Sequence, residues 1–214
     1  MVRKILMVLL LVCAFTASSC MHQGPPPVDG GSIVVNGKKI YWEEDEFPLY
    51  VLMDKRLPIN HTYATEVAVI KWNSKLGDEV FKTKMYDFSE PAPRTHGYVT
   101  VSIKQLGKQN GKPRLGQQRA ILYEDSSKMK VSEVFYDIDN PTKDELVKIM
   151  VHELGHSLAL EHDPGDSRSI MYPKIQSSPM YIMPDDVERV RAMMDGEPIP
   201  ANPDVSDTGL QIIP

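Results

Sequence analysis

Cysteine is nearly absent. Cys13 and Cys20 are the only two in 214 residues, and both lie in the first twenty. The body of the chain therefore has no thiol and no disulfide, so its stability must come from packing or from a bound metal. A long basic run is also missing, and the formal net charge is -5, which argues against nucleic acid as a partner. No apolar run is long enough to span a bilayer comfortably: Ile5 to Phe15 is about half of the roughly 20 residues required. There is no internal repeat. Ser157 has no G-x-S-x-G setting, so a serine hydrolase is unsupported. What remains is a globular composition, 42% hydrophobic and 25% charged, in a chain that suits one domain. Histidine is scarce, with six residues, yet three of them fall between 152 and 162.

The N-terminus reads as a targeting segment. Arg3 and Lys4 precede the apolar run, and "TASSC" follows it. Small residues running directly onto a cysteine resemble the bacterial lipobox, which implies a lipid on Cys20. The expected organisation is a signal peptide over 1–19, a Pro- and Gly-rich tether over 20–31, a folded domain over 32–195 and a Pro-rich tail over 196–214. The expected location is the cell envelope, lipid-anchored on its periplasmic or extracellular face. Ordinary secretion, with cleavage near Ser18 or Ser19, is the alternative.

Within the domain, Asn36-Gly37 between apolar residues signals a hairpin. The acidic run Glu43 to Glu46 reads as a solvated loop, and 47–55 as a buried strand. Residues 60–77 read as a helix with Asn60 or Thr62 as its cap and Gly77 as its stop. Its inward face is expected to carry Tyr63, Val67, Ile70 and Ser74, widened by Ala64, Ala68 and Trp72. His22, His61 and His96 read as surface residues. Strands follow near 79–86 and at 97–104, then a Gly-rich loop over 105–118, then two strands over 119–139 with a turn around Asp125 to Ser127. Thr142 and Glu145 form a capping box for a long helix whose apolar face holds Leu146, Ile149 and Met150. A short helix over 184–194 starts near Asp185 or Asp186. This order of strands and helices predicts one α/β (α+β) layered domain.

The chemistry concentrates in "HELGHSLALEHD", residues 152 to 163. His152 and His156 are about one helical turn apart, so both imidazoles leave the same face and suit one small ion. Glu153 points about 100° away around the helix, which makes it a poor ligand but leaves it within reach of a water on the metal. The match to H-E-x-x-H is complete. His162 lies six residues beyond His156, where a continuing helix would carry it well away from that face. For His162 to bind the same ion, the chain must leave the helix between them.

"HELGHSLALEH" resembles the H-E-x-x-H-x-x-G-x-x-H zinc motif of the metzincins, and "SIMYP" resembles their Met-turn. The spacing from His162 to Met171, the Met-Tyr-Pro sequence and the element order from 47 to about 195 look most like the matrixin branch. Asp163 looks more like the adamalysin branch. The resemblance implies a zincin fold: a mixed, mostly parallel twisted sheet with two long helices, and a small C-terminal subdomain holding the Met-turn and one helix. It implies one catalytic zinc ion on His152, His156 and His162, Glu153 as general base and Met171 as the floor beneath the metal. Tyr172 and Pro173 follow as candidates for the pocket wall. The implied function is a zinc endopeptidase acting on protein or peptide substrates through a zinc-bound water that Glu153 activates. A monomer is expected, touching the membrane through its N-terminal lipid, with the strand at 119–124 as the edge that pairs with an extended substrate.

Four departures from the family pattern stand out. Ala159 occupies the usual Gly position, where a positive φ would cost Ala about 1–2 kcal/mol. No cysteine precedes the domain in a switch-like motif. The 105–118 loop has no His or Asp, so extra zinc and calcium sites have no evident ligands. Ile175 stands where matrixins often have a Tyr. A zinc-binding lipoprotein with weak or no catalysis, serving a binding or structural role, is the alternative reading, and Ala159 is its best support.

Overall fold

Among the described residues, the first strand longer than two residues is the one that the sequence places after the acidic run. The computed structural model describes residues 15–16, 34–35, 38–90, 97–109, 112–123, 127–137 and 143–195. In chain order the elements are β1 (Phe15–Thr16), β2 (Val34–Val35), β3 (Lys38–Lys39), β4 (Leu49–Asp54), α1 (Ile59–Leu76), β5 (Phe81–Tyr86) and β6 (Tyr98–Lys104). They continue with β7 (Lys108–Gln109), β8 (Lys112–Pro113), β9 (Gly116–Leu122), β10 (Met129–Asp137), α2 (Lys143–Ser157) and α3 (Pro184–Met194). Cys20, the tether, the 196–214 tail, His22, His96, Asn36-Gly37, Asp125 and Thr142 lie outside the described residues. No described helix is long and apolar enough to cross a membrane.

The main sheet has the order β1-β9-β10-β6-β4-β5. β5, β4, β6 and β10 run parallel, and β9 is antiparallel to β10. This is the mixed, mostly parallel sheet expected from strands alternating with helices. Val99 and Val101 of β6 face the core, as do Leu49, Val51 and Met53 of β4. β9 begins at Gly116, three residues before the expected start. Its inward residues are Gly116, Gln118 and Ala120, set by the two-residue period of the strand. On the outer edge of β9, Phe15 and Thr16 pair antiparallel with Ala120 and Arg119.

α1 departs from the sequence reading in two ways. Its cap is Pro58, without a side-chain cap bond, and Asn60 and Thr62 are already helical. Its buried face is Ala64, Thr65, Ala68, Val69, Trp72 and Leu76, whereas Tyr63 and Ile70 are 59% and 64% exposed. Ala64, Ala68 and Trp72 face inward as expected, and α1 packs directly against α2. Gly77, at φ 74, ends the helix as expected. Arg191 of α3 donates to the Leu76 carbonyl at 2.9 Å, satisfying one of the open acceptors of the last turn. The acidic run is also less solvated than expected: Glu46 is buried, and its carboxylate accepts the Glu43 amide.

Two tryptophans and a chain of hydroxyls hold α2 in register. Trp72 Nε1 donates to the Val151 carbonyl at 2.8 Å, and Trp42 Nε1 donates to the Ser157 carbonyl at 2.7 Å. Both indoles are almost fully buried, and a buried aromatic of this size typically loses about 3–5 kcal/mol on truncation. Ser157 Oγ donates to the Glu153 carbonyl, so the Ser132 hydroxyl donates to Ser157 Oγ at 2.8 Å. Gln118 Nε2 in turn donates to Ser132 Oγ at 2.9 Å. The sheet thus grips the C-terminal turn of α2 through polar groups as well as apolar ones.

Candidate metal centre

α2 delivers His152, Glu153 and His156, which are 0%, 1% and 2% exposed. The helix then ends in a Schellman turn. The Ala159 amide donates to His156 O at 3.0 Å, and the Leu160 amide donates to Gly155 O at 3.1 Å. This requires a left-handed residue at Ala159, whose φ is 61. The chain therefore leaves the helix where the His156–His162 spacing demands it, and His162 returns to the site at 8% exposure. An alanine held this way carries strain that glycine would not. Ala159→Gly is expected to stabilise the protein by up to about 1 kcal/mol, because relief of roughly 1–2 kcal/mol exceeds glycine's extra chain entropy of about 0.5–1 kcal/mol. Urea unfolding midpoints measure this. A lower midpoint would mean that the buried methyl outweighs the strain.

The three rings converge. One nitrogen from each of His152, His156 and His162 lies within 4.8 Å of the others, and the His156 and His162 Nε2 atoms are 3.3 Å apart. Carbonyls fix the orientation of two of the rings. His152 Nδ1 donates to Ile170 O at 2.6 Å, and His156 Nδ1 donates to Leu160 O at 2.7 Å. A carbonyl only accepts, so the proton of each neutral ring sits on Nδ1 and the Nε2 lone pair is free for a cation. His152 Nε2 is buried and has no protein partner. Burial pushes the His152 pKa down to about 3 and the His156 pKa to about 4, and lowers that of His162 well below its usual value. The rings are therefore neutral, as metal ligands must be. Two nitrogens on one tetrahedral zinc, each at about 2.05 Å, stand about 3.3 Å apart. The donor set, its charge state and this separation all fit zinc.

The segment after His162 packs back onto α2. The Asp163 amide donates to Met171 O at 2.8 Å, and the Met171 amide donates to Ser169 Oγ at 3.0 Å. Met171 is fully buried against α2 at Gly155, directly before His156. A Cβ at Gly155 would collide with Met171 Sδ and would stand 3.1 Å from Trp72 Cζ2. Tyr172 and Pro173 follow, partly buried and buried respectively.

Three features near the site were not visible in the sequence reading. Gly116 of β9 passes so close to α2 that a Cβ there would lie 2.6 Å from Glu153 Oε1 and 2.6 Å from Ile149 Cγ2. A glycine inside a strand signals such a close approach, but the strand was expected to start only at 119. Lys148, one turn before His152, donates from Nζ to carbonyls beyond Met171. His61 is half-buried rather than a surface residue. Its ring stands edge-on to Tyr136 at 4.8 Å, with both nitrogens buried, and burial lowers its pKa. It does not join the cluster. Among the described residues, the group placed to hold a metal is His152, His156 and His162.

The matrixin peptidase family matches residues 64–194, more than half of the chain. A comparison with the curated proteins gives no match. Among solved structures, the chain is similar to archaemetzincin from Methanopyrus kandleri, at 14% identity and a TM-score of 0.45, over 76% of this chain and 99% of that one.

Proposed function

Because the chain belongs to the matrixin family of zinc metallopeptidases, we propose that it is an endopeptidase with one zinc on His152, His156 and His162 and with Glu153 as its general base. The observation that carries this reading is the convergence of three neutral, buried imidazoles on one point, two of them fixed by carbonyls at Nδ1. Zinc held there supplies a Lewis acid that acidifies a water and polarises the scissile carbonyl. Glu153 lies next to His152 but on the neighbouring helix face. It takes the proton that the attacking water gives up and returns it to the leaving amine. Gly116 leaves the room in which that carboxylate sits. β9 offers its outer edge to an extended peptide, and the antiparallel pairing of Phe15–Thr16 supports the view that this edge accepts a strand. Met171 keeps the floor beneath the histidines apolar. Tyr172 and Pro173 line the wall that follows it.

Residues 1–19 are proposed to act as an export signal and Cys20 to carry the lipid. That would place the monomer on the periplasmic or extracellular face of the cell envelope. The support is the sequence itself: Arg3, Lys4, the apolar run and the small residues before Cys20. Ala159, the residue that most favoured a non-catalytic reading, takes up the turn that the third ligand requires.

Protein lacking the first 20 residues should hold one zinc per chain and cleave unfolded protein and a peptide library. Chelation should abolish cleavage, and added zinc should restore it. Zinc without cleavage would favour the binding or structural role. A chain that takes up no zinc would sink both the site and the mechanism.

A further inference from the structure

α1 turns an apolar stripe to solvent. Ile59, Tyr63 and Ile70 are 79%, 59% and 64% exposed, and Val67 among them is half-buried. At roughly 100° per residue these four fall within an arc of about 80°, so they form one stripe about 16 Å long. The sequence ranks Tyr63, Val67 and Ile70 as part of a buried face, yet the described residues leave that stripe open. Its surroundings are charged at both ends. Lys71 and Lys75 are exposed on the flank toward the C-terminus, and Glu66 is the exposed acid beside the stripe. At the N-terminus, Pro58 caps α1 without a side-chain bond and the first turn holds no acidic residue, so α1 itself does not answer the positive end of its dipole.

The chain supplies a segment that matches. α3 ends at Met194, and Arg191, about one turn earlier, donates to the Leu76 carbonyl at the C-terminus of α1. Residues 196–205, "GEPIPANPDV", therefore start beside that end of α1. Pro198, Pro200 and Pro203 favour a polyproline II course, with three residues per turn and about 3.1 Å per residue. On such a course Ile199, Asn202 and Val205 share one face, and Ile199 and Val205 stand about 19 Å apart. Ile70 and Ile59 are about 16 Å apart along α1. With Ile199 set on Ile70, Pro203 comes level with Tyr63, and proline-rich chains dock on exposed aromatic rings. Glu197 then meets Lys71 and Lys75, and Asp204 meets the N-terminus of α1. We propose that residues 196–205 lie as a strap along the outer face of α1, antiparallel to it, with Ile199 on Ile70 and Val205 on Ile59. The opposite face of α1 packs against α2, so the strap holds the C-terminal segment away from the metal centre. This inference stands apart from the peptidase reading.

The test uses the full chain. A carbodiimide, which joins a carboxylate to a neighbouring amine, should link Glu197 to Lys71 or Lys75, read by peptide mass spectrometry. The double variant Ile199→Asp, Val205→Asp should lower that yield about tenfold, the scale of one aliphatic side chain returned to water. Hydroxyl-radical labelling of Ile59, Tyr63 and Ile70 should rise severalfold in the same variant. Ile70→Asp, at an exposed position, should lower the cross-link yield likewise while unfolding stays cooperative. Equal labelling in the wild type and the tail variant, or no link from Glu197 to either lysine, would overturn the proposal. So would protection of the stripe that grows with protein concentration, the sign of a second copy, or that appears only with phosphatidylglycerol vesicles, the sign of a lipid surface.

Discussion

On the peptidase reading, Glu153→Gln should leave zinc in place and lower kcat/KM for a peptide substrate about a thousandfold. Glutamine keeps the volume and most of the hydrogen-bonding capacity of a side chain that is 1% exposed, so the fold has little reason to respond. It cannot take a proton at neutral pH. General acid–base catalysis contributes about 10²–10⁴-fold, and a base that also serves as the returning acid lies toward the upper part of that range. His152 and His156 keep their carbonyl partners, because Ile170 O and Leu160 O are untouched by the substitution. Metal content and hydrolysis of a quenched peptide, measured on the same preparation, separate the two properties. Activity within tenfold of wild type would remove Glu153 from its role.

The second large effect is expected at a residue with no chemistry of its own. Gly116→Ala should lower kcat about a hundredfold, with zinc retained. Gly116 does not have a positive φ, so the backbone accepts alanine, and a strand generally prefers it to glycine. The obstacle is spatial. The new Cβ would stand 2.6 Å from Ile149 Cγ2 and 2.6 Å from Glu153 Oε1. The Glu153 contact is separate from the Ile149 contact, so the carboxylate must shift whatever Ile149 does. A displacement of about 1 Å in a catalytic group can cost on the order of 10²-fold in rate. Stopped-flow or steady-state kcat, alongside an unfolding midpoint, reads the effect. An unchanged kcat would mean that the carboxylate works from another position.

The pair His152 and His156 could be read from the sequence because a helical period is a local property. His162 could be read only through the resemblance, since no local rule says where a chain goes after it leaves a helix. The turn itself was foreseen as a need, and Ala159 meets it despite its Cβ. The inward face of α1 was read only in part. Periodicity placed Ala64, Ala68 and Trp72 inward, where they are, but it also placed Tyr63 and Ile70 there, and these are exposed. Gly116 and Lys148 matter only through residues that are 37 and 28 positions away in sequence, Glu153 and Gln176. Composition and spacing carry no trace of such pairs.

The chain has two tryptophans, and both indole N–H groups end on carbonyls of α2. Near-ultraviolet light absorbed by indole is therefore absorbed at the helix that carries His152 and His156. Trp72 touches it beside Gly155, and Trp42 touches it at Ser157, directly after the second histidine. Tryptophan emission from this protein is a local optical signal, and any shift in its colour on loading or stripping the ion originates within a turn or so of the ligands. The molecule carries its own dye at its own centre, without a label.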